Sequence, residues 1–378
     1  MTIIYIITAS LILLYLTYPF WLMAFPAADP GKKEYEGIDA VSVILLSRNG
    51  KKYLKEKIQY IIHELAPFKN AELIVIDDLS TDGSKEVLKE FENRDDIKIV
   101  LKDEQRGIPH TMNMGVEMAK YPYVIFCDQR QVLTEGILKK ITEPLMYENT
   151  GAVSACISHI DTEGCCSWIR KFENFIKSRQ SLTGSLIGVY GPLYAIKKKC
   201  FTPIPEEIIL DDLYLSLSIL KTRSVLLNTD CIIRDENFSS LNNPARAKRY
   251  LEGFLQLFRR NSPVRALRAK HLIMLFWHKY MRLLLPIFLF LSYVVTAIRA
   301  YESRAYFIAF VIVTLTGVIM LFPGAIGQEN RLRGIININI WYLLGLPVVL
   351  FRNILPKNIP FKAKNITADK KKLETDKI

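Results

Sequence analysis

Metal-binding cysteine pairs and histidine clusters are missing from this chain. It holds only five histidines and six cysteines in 378 residues. Cys127, Cys156, Cys165, Cys166, Cys200 and Cys231 form no Cys-x-x-Cys pair, which excludes the usual structural zinc patterns. Several lie in apolar runs, as small buried side chains do, and are read as reduced thiols in the cytosol. No nucleic-acid module accompanies the net charge of +12. The excess is read instead as a basic juxtamembrane surface facing anionic lipid, with no nucleic-acid partner.

Charge is also missing from Ile3 to Phe25, a run long enough to cross a bilayer at roughly 20 residues. Pro26-Ala27-Ala28 resembles a signal-peptide cleavage region, but no Lys or Arg precedes the run and it exceeds a usual signal core, so it is read as an uncleaved anchor. Lys32 and Lys33 follow it and place the next domain in the cytoplasm. Three more apolar stretches, Leu283–Ile298, Tyr306–Phe322 and Ile335–Phe351, lie near the C-terminus. Leu272 to Arg282 mixes Trp277 and Tyr280 with Lys279 and Arg282 and is expected to lie in the interface. Four spans would put the Lys-rich tail outside, whereas its charge argues for inside; Gly345 and Pro347 make the third stretch a candidate re-entrant segment. The expected organisation is an anchor over 1–28, a cytoplasmic domain over 38–262, an interfacial helix and transmembrane region over 266–352, and a basic tail over 353–378.

Between the anchors, strand-like and helix-like stretches alternate. Val41–Ser47, Glu72–Ile76, Ile97–Leu101, Tyr123–Cys127 and Ala152–Ile157 read as strands. Lys51–Ala66, Ser84–Phe91, Thr111–Ala119 and Thr134–Tyr147 read as helices, with Leu54, Ile58, Ile61, Ile62 and Leu65 on one face of the first. This rhythm predicts an α/β fold with a mostly parallel sheet and flanking helices, plus transmembrane helices at both ends. Past residue 160 the rhythm changes: Trp168–Thr183, Asp211–Leu220 and Ala245–Arg260 read as helices, and Ser224–Leu227 as a strand.

Acids follow apolar runs at three places. Asp77 and Asp78 end a strand and open the turn Leu79-Ser80-Thr81-Asp82-Gly83-Ser84. Parallel sheets bind ligands at this carboxyl edge, and a carboxylate there can accept from a nucleobase N–H or a ribose hydroxyl; a helix-capping turn is the plain alternative. Asp128 ends the next such run, placed to bind a divalent metal on a diphosphate. Asp211 and Asp212 open a helix, where one can serve as general base or both can complement the macrodipole. Arg246 and Arg249 share a helix face and can clamp a diphosphate.

Taken in order, these residues resemble a membrane-anchored family-2 inverting glycosyltransferase of the GT-A-like, exopolysaccharide-synthesis type. The turn after Asp77-Asp78 resembles the family's nucleotide motif, Asn113-Met114-Gly115 its Asn-x-Gly helix, and Asp128 the first acid of its Asp-x-Asp motif. Gly191-Pro192-Leu193-Tyr194-Ala195-Ile196-Lys197 resembles its Gly-x-x-Tyr-Ala-x-Arg strand, Asp211-Asp212 its base motif, and Arg246-x-x-Arg249-x-x-x-Gly253 its Arg-rich helix. Tyr18-Pro19, His278-Lys279, Arg282 and Pro286 fit its membrane-entering segments. Arg130 stands where the second acid of Asp-x-Asp would be, Ile108 where many members have Lys, and Gly50 where many have an acid; Gln256-Leu257-Phe258-Arg259-Arg260 lacks the Trp of processive synthases.

The resemblance implies a single-displacement sugar transfer from a nucleotide-diphosphate donor, expected to be a UDP-sugar. Asp77 or Asp78, with Arg48 and Asn113, would hold the nucleotide. Asp128 would hold Mg²⁺ or Mn²⁺. Arg246, Arg249 and Arg130 would meet the diphosphate, and Asp212, beside Asp211, would act as base. Tyr190, Tyr194 and Trp168 are the candidate acceptor-channel aromatics. The expected partners are a saccharide or lipid-linked acceptor, membrane lipids and polysaccharide-export proteins. The expected location is the cell membrane, multi-pass, with the catalytic domain cytoplasmic. Transfer to a polyprenyl phosphate and a non-catalytic nucleotide-binding scaffold are the alternative readings.

Overall fold

The computed structural model describes residues 2–34, 36–159, 165–235, 244–257, 262–321 and 343. The stretch Ile335–Phe351, apart from residue 343, and the basic tail lie outside the described residues. So do the side chains of Trp168 and Arg246.

One eight-stranded sheet organises the domain, in the order β3-β2-β1-β4-β7-β6-β8-β5. Its first half comprises β1 (Ala40–Ser47), β2 (Asn70–Asp77), β3 (Ile97–Leu101) and β4 (Tyr123–Asp128), all parallel. Val43, Ile44, Leu45, Leu73, Ile74, Val75 and Ile76 are fully buried. A parallel strand covered on both faces needs such a continuous apolar run. The crossovers are α2 (Lys51–Leu65), α3 (Ser84–Lys89) and α4 (Ile108–Met118). Leu54, Ile58, Ile61 and Leu65 supply the buried face of α2. Gly115 lets α4 sit close on the sheet: a Cβ there would lie 2.8 Å from Ile44 Cγ2.

The second half is mixed. Beyond β4 come β5 (Val132–Leu133), α5 (Ile137–Thr142), β6 (Thr150–His159), α6 (Cys165–Leu182), β7 (Leu193–Lys197), α7 (Asp211–Ile219), β8 (Ser224–Asp235) and α8 (Pro244–Gln256). β7 runs antiparallel to both β4 and β6, β6 runs parallel to β8, and β5 is antiparallel to β8. The sheet is therefore parallel up to β4 and mixed beyond it. Strand β8 is longer than Ser224–Leu227, because it resumes pairing with β6 after a register shift between Ala155 and Cys156. The stretch Thr134–Tyr147 is not one helix: α5 passes into a 3₁₀ turn over Glu143–Met146, with Pro144 inside it.

Among the described residues, two helices are long and apolar enough to cross a membrane, Ile3–Met23 and Ala269–Arg299. The first is α1 (Thr2–Met23). The second joins α9 (Ala269–Leu275) to α10 (Met281–Arg299) through a π-helical turn over Phe276–Tyr280. The piece expected to lie separately in the interface is thus continuous with the apolar run. Polar bonds tie α1 to α10: Tyr5 Oη to Thr296 Oγ1 at 2.9 Å and Thr8 Oγ1 to Ser292 Oγ at 2.7 Å. α11 (Arg304–Leu321) follows, apolar along Arg304–Leu315.

Gly115→Val tests the close approach of α4. Two added methyls and a Cβ would meet Ile44 and Ile76, so the variant is expected to lose about 3 kcal/mol of stability, read as a lowered midpoint in denaturant.

Candidate functional site

The C-terminal edge of the parallel half carries the first acids. Asp77 ends β2 fully buried. Its carboxylate accepts from the Ser80 amide at 2.8 Å and from the Ser80 hydroxyl. Leu79, between them, adopts φ +59°. Asp77 therefore holds the turn, and Asp78 follows it at the strand end, itself buried. Asp78 is paired with Lys102, which follows β3, is buried and also donates to Thr111 Oγ1 at 3.2 Å. No sequence signal singled out Lys102.

The neighbouring loop is knitted to this turn. The Asn49 amide donates to Ser80 Oγ at 2.8 Å, and Asn49 Oδ1 accepts from the Thr81 amide at 2.9 Å. Asp82 accepts from Ser84 and from the Lys51 amide; burial alone would raise its carboxyl, but these bonds hold it below its ordinary range. Arg48 reaches Gln105 Oε1 at 2.9 Å. Asn113 exchanges two hydrogen bonds with the Ile204 backbone, at 2.8 and 2.9 Å, so its carboxamide clamps the loop after β7.

Asp128 lies on the same edge. Leu46 pairs with Asp128 in register and Ser47 with Asp77, so one strand separates the two acids. Two strand spacings put their Cα atoms about 10 Å apart. Arg130 Nη2 lies 3.4 Å from Asp128 Oδ2, with the Arg130 side chain 65% exposed. Gln129 accepts from Ser47 Oγ and donates to the Arg48 carbonyl, both at 2.9 Å. It covers Gly50 so closely that a Cβ there would lie 1.9 Å from its Oε1, which accounts for the glycine. Among the described residues no three His, Cys, Asp or Glu side chains converge as a metal cluster. One carboxylate with an open face still suits Mg²⁺, which keeps waters and takes substrate phosphate oxygens.

The antiparallel reversal brings the third acid site to this edge. The Asp128 amide donates to the Pro192 carbonyl at 2.9 Å, at the loop entering β7. The Cβ position of Gly191 lies 3.6 Å from Asp212 Oδ2. Asp128 and Asp212 thus flank one short loop. Asp212 Oδ1 accepts from the Leu213 amide at 2.7 Å, at the first turn of α7. Burial, and then the charge of Asp212, push the Asp211 carboxyl up to about 7, against the pull of Arg249.

α8 braces this pair. A Cβ on Gly253 would lie 2.5 Å from Leu210 Cγ, so glycine lets the helix pack on the residue before Asp211. Gln256 accepts from the Ile209 amide at 3.0 Å and donates to the Glu207 carbonyl at 2.8 Å. Arg249 is exposed and donates to the Ile209 carbonyl at 3.3 Å. Arg246 precedes it by one turn of the same helix.

Two expectations need correction. Tyr190 and Tyr194 do not line an open channel. Tyr194 is 2% exposed and stacks on Phe126 with ring centroids 4.9 Å apart. Tyr190 is buried and donates to Asn174 Oδ1 at 2.7 Å. Both rings fill the space under the site, because aromatic area near a sheet is worth more in the core than facing water.

Residues 42–199 match the family described as Glycosyl transferase family 2. The chain carries a glycosyl transferase family 2 domain. The match holds Asp77, Asp78, Asp128 and the Gly191 loop, and ends before Asp211 and Asp212. The chain is 29% identical over 212 residues to the glycosyltransferase GlyA of Streptococcus pneumoniae, covering 50% of this chain and 30% of GlyA. It is 28% identical over 144 residues to the putative teichuronic acid biosynthesis glycosyltransferase TuaG of Bacillus subtilis, covering 38% and 54%. It is 25% identical over 198 residues to the poly-beta-1,6-N-acetyl-D-glucosamine synthase of Staphylococcus epidermidis, covering 49% and 47%. The chain thus spans between 30% and 54% of the length of these curated relatives. A mannosyltransferase from Pyrobaculum calidifontis, solved with GDP-mannose and Mn²⁺, shares the fold at a TM-score of 0.69 and 19% identity, over 90% of this chain and 97% of that one.

The domain pays a pH-dependent stability penalty at Asp211. Its folded carboxyl sits at about 7 against an ordinary 3.8, so the folded state keeps a proton that the unfolded chain releases. The penalty is absent below the ordinary value, grows as pH rises between the two, and is complete above about 7. Asp211→Asn is expected to raise the thermal midpoint at about pH 8 and to leave it nearly unchanged at about pH 4, read by scanning calorimetry at both.

Proposed function

We propose that the chain is a membrane-anchored inverting glycosyltransferase that moves a sugar from a UDP-sugar to a saccharide acceptor in cell-surface polysaccharide synthesis. The observation that carries the reading is the short loop at Gly191 and Pro192, which Asp128 and Asp212 flank. Relatives named for teichuronic acid biosynthesis and for poly-beta-1,6-N-acetyl-D-glucosamine synthesis support the polysaccharide assignment. The two long apolar helices support anchoring at both ends of a cytoplasmic domain.

The donor lies along the carboxyl edge, with Asp78 and Arg48 on the nucleotide side and Asp77 supporting the turn. Asp128 would hold Mg²⁺ or Mn²⁺, which when bound offsets charge on the leaving diphosphate. Asp212 removes the proton of the acceptor hydroxyl. The hydroxyl oxygen forms a bond to the anomeric carbon while the bond to the diphosphate oxygen breaks on the opposite face, inverting the centre. Arg249, Arg246 and Arg130 meet the charge that UDP carries away. Asp211, held close to its proton by burial and by the charge of Asp212, is the less suited of the pair to accept one, so the base role falls to Asp212.

A lipid-linked acceptor is the second reading. It is favoured by α6, which packs under the acid site and also contacts α1 and the π-turn.

The test uses the full chain in detergent and a panel of UDP-sugars, with released UDP as the readout. One donor is expected to support turnover. Asp212→Asn is expected to lower that turnover on the order of 1,000-fold. Excess chelator should suppress turnover and added Mn²⁺ restore it. Near wild-type turnover by Asp212→Asn would remove the base assignment, and full activity in chelator would remove the metal. Labelled sugar recovered in lipid rather than saccharide would decide for the second reading.

A further inference from the structure

Lys177 is a buried ammonium that the proposed reaction does not use. It sits in the middle of α6, 3% exposed. Burying a charge is costly, and an apolar side chain of the same length would pack as well without that cost. Its contacts show what it is held for. Nζ donates to the Gly188 carbonyl at 2.9 Å and lies 3.3 Å from the centroid of the Tyr190 ring. Both residues belong to the loop that continues through Gly191 and Pro192 to β7.

That loop is where the two halves of the site meet. Gly188 adopts φ +85°, which favours glycine, and its Cβ position lies 3.3 Å from Leu213 Cδ1. The Val189 amide donates to Ser216 Oγ at 3.0 Å, and Ser216 donates to the Asp212 carbonyl at 2.6 Å. The Tyr190 amide donates to Ser154 Oγ at 2.8 Å. Pro192 then accepts from the Asp128 amide, and Gly191 abuts the Asp212 carboxylate.

One turn before Lys177 on the same helix, Glu173 faces the juxtamembrane helix. Glu173 Oε1 lies 3.1 Å from His278 Nε2 and 3.5 Å from Lys279 Nζ, in the π-turn between α9 and α10. Burial opposes ionisation of Glu173, yet Lys279, His278 and Lys177 together hold its carboxyl well below its ordinary range. A further bond runs from Gln180 of α6 to Tyr18 Oη of α1 at 2.8 Å.

We infer that Lys177 is a positioning residue: its ammonium fixes the Gly188–Pro192 loop against Asp212 and Asp128, and Glu173 references that loop to the juxtamembrane helix carrying His278 and Lys279. Nothing in this requires Lys177 to touch donor or acceptor. The inference rests on the roles given above to Asp212 and Asp128. It predicts that the chemical step, and not nucleotide binding, responds to changes one helix away from the acids.

The experiment compares Lys177→Met, Lys177→Arg, Glu173→Gln and Asp212→Asn in the full chain in detergent. UDP affinity is measured by calorimetry, kcat and KM by UDP release from the donor that the wild type uses, and amide hydrogen exchange by mass spectrometry. Lys177→Met is expected to leave UDP affinity within about twofold while kcat falls on the order of 10- to 100-fold, since a small displacement of catalytic groups suffices for that. Amides of Val189, Tyr190 and Leu193 should exchange faster while those of β1 and β2 do not. Lys177→Arg, which keeps the cation, should recover most of the rate, and Glu173→Gln should show a smaller change of the same kind. Unchanged kcat and exchange in Lys177→Met, beside an inactive Asp212→Asn, would overturn the inference and spare the proposed reaction. An active Asp212→Asn would instead overturn the proposed reaction, and the exchange measurement alone would then decide the role of Lys177. If Lys177→Met loses protection throughout β1 and β2 as well, Glu173→Gln decides: faster exchange confined to the loop supports the inference, and none overturns it.

Discussion

One backbone hydrogen bond, from the Asp128 amide to the Pro192 carbonyl, joins the two chemistries of this domain. It exists because β7 runs antiparallel to β4. Parallel strands present only their carboxyl ends at the ligand edge, so a fully parallel sheet would bring another strand end to Asp128. The reversal brings a strand's beginning instead, and with it the loop of Gly188 to Pro192. Gly191 leaves room for Asp212 Oδ2, where a side chain would narrow the space between the two acid sites. The carboxyl edge of the parallel strands, the acid pair and, through α6, the helices α1 and α9–α10 all connect to this loop.

Much of the donor edge was legible because strand ends have a simple signature. An apolar run stopped by acids and followed by turn residues located Asp77, Asp78 and Asp128, and β3 matches its sequence reading residue for residue. Lys102 left no trace, since a lysine just after a short strand looks like ordinary solvent-facing charge; only β3 beside β2 turns it toward Asp78. Tyr190 and Tyr194 misled for the opposite reason. Their chain positions beside the acids are right, but packing on Phe126 sends the Tyr194 ring inward, and Asn174 and Lys177 hold the Tyr190 ring. Strand β5 is two residues long and carries no periodicity to read. The second half of β8 was hidden by Asn228, Thr229 and Asp230, which look like a turn but sit where the register shifts. The mix of Trp277, Tyr280 and Lys279 suggested an interfacial helix; part of that polarity faces Glu173 on α6 instead.

The helix α6 shows how a single element serves two environments. Its Glu173, Lys177 and Gln180 fall on one face by helical spacing. One of them binds the π-turn, one the loop beside the acids, and one α1. A π-turn widens the backbone by one residue, which rotates the residues after it relative to those before. At Phe276–Tyr280 that rotation lets His278 and Lys279 reach Glu173 while α10 still presents Ser292 and Thr296 to α1.

Three acids of the site have a cation beside them, and the three couples differ in burial. Asp78 has Lys102, Asp128 has Arg130, and Asp211 has Arg249. Removing Lys102 from Asp78 would strand a buried charge, a loss on the order of 3–5 kcal/mol that no single donor contact repays. That couple is therefore permanent and fixes how Asp78 is aimed. The Arg130 couple is exposed and long, the kind of ion pair worth about 0–1 kcal/mol. In the proposed reaction its guanidinium would exchange a carboxylate for a diphosphate at almost no cost, and in doing so free Asp128. Arg249 is likewise exposed and sits beside Asp211, whose carboxyl burial holds close to its proton. On the proposed reading, a polyanionic donor entering this edge would displace only the exposed partners, and burial decides which of the three cations holds the protein and which two a substrate could reach.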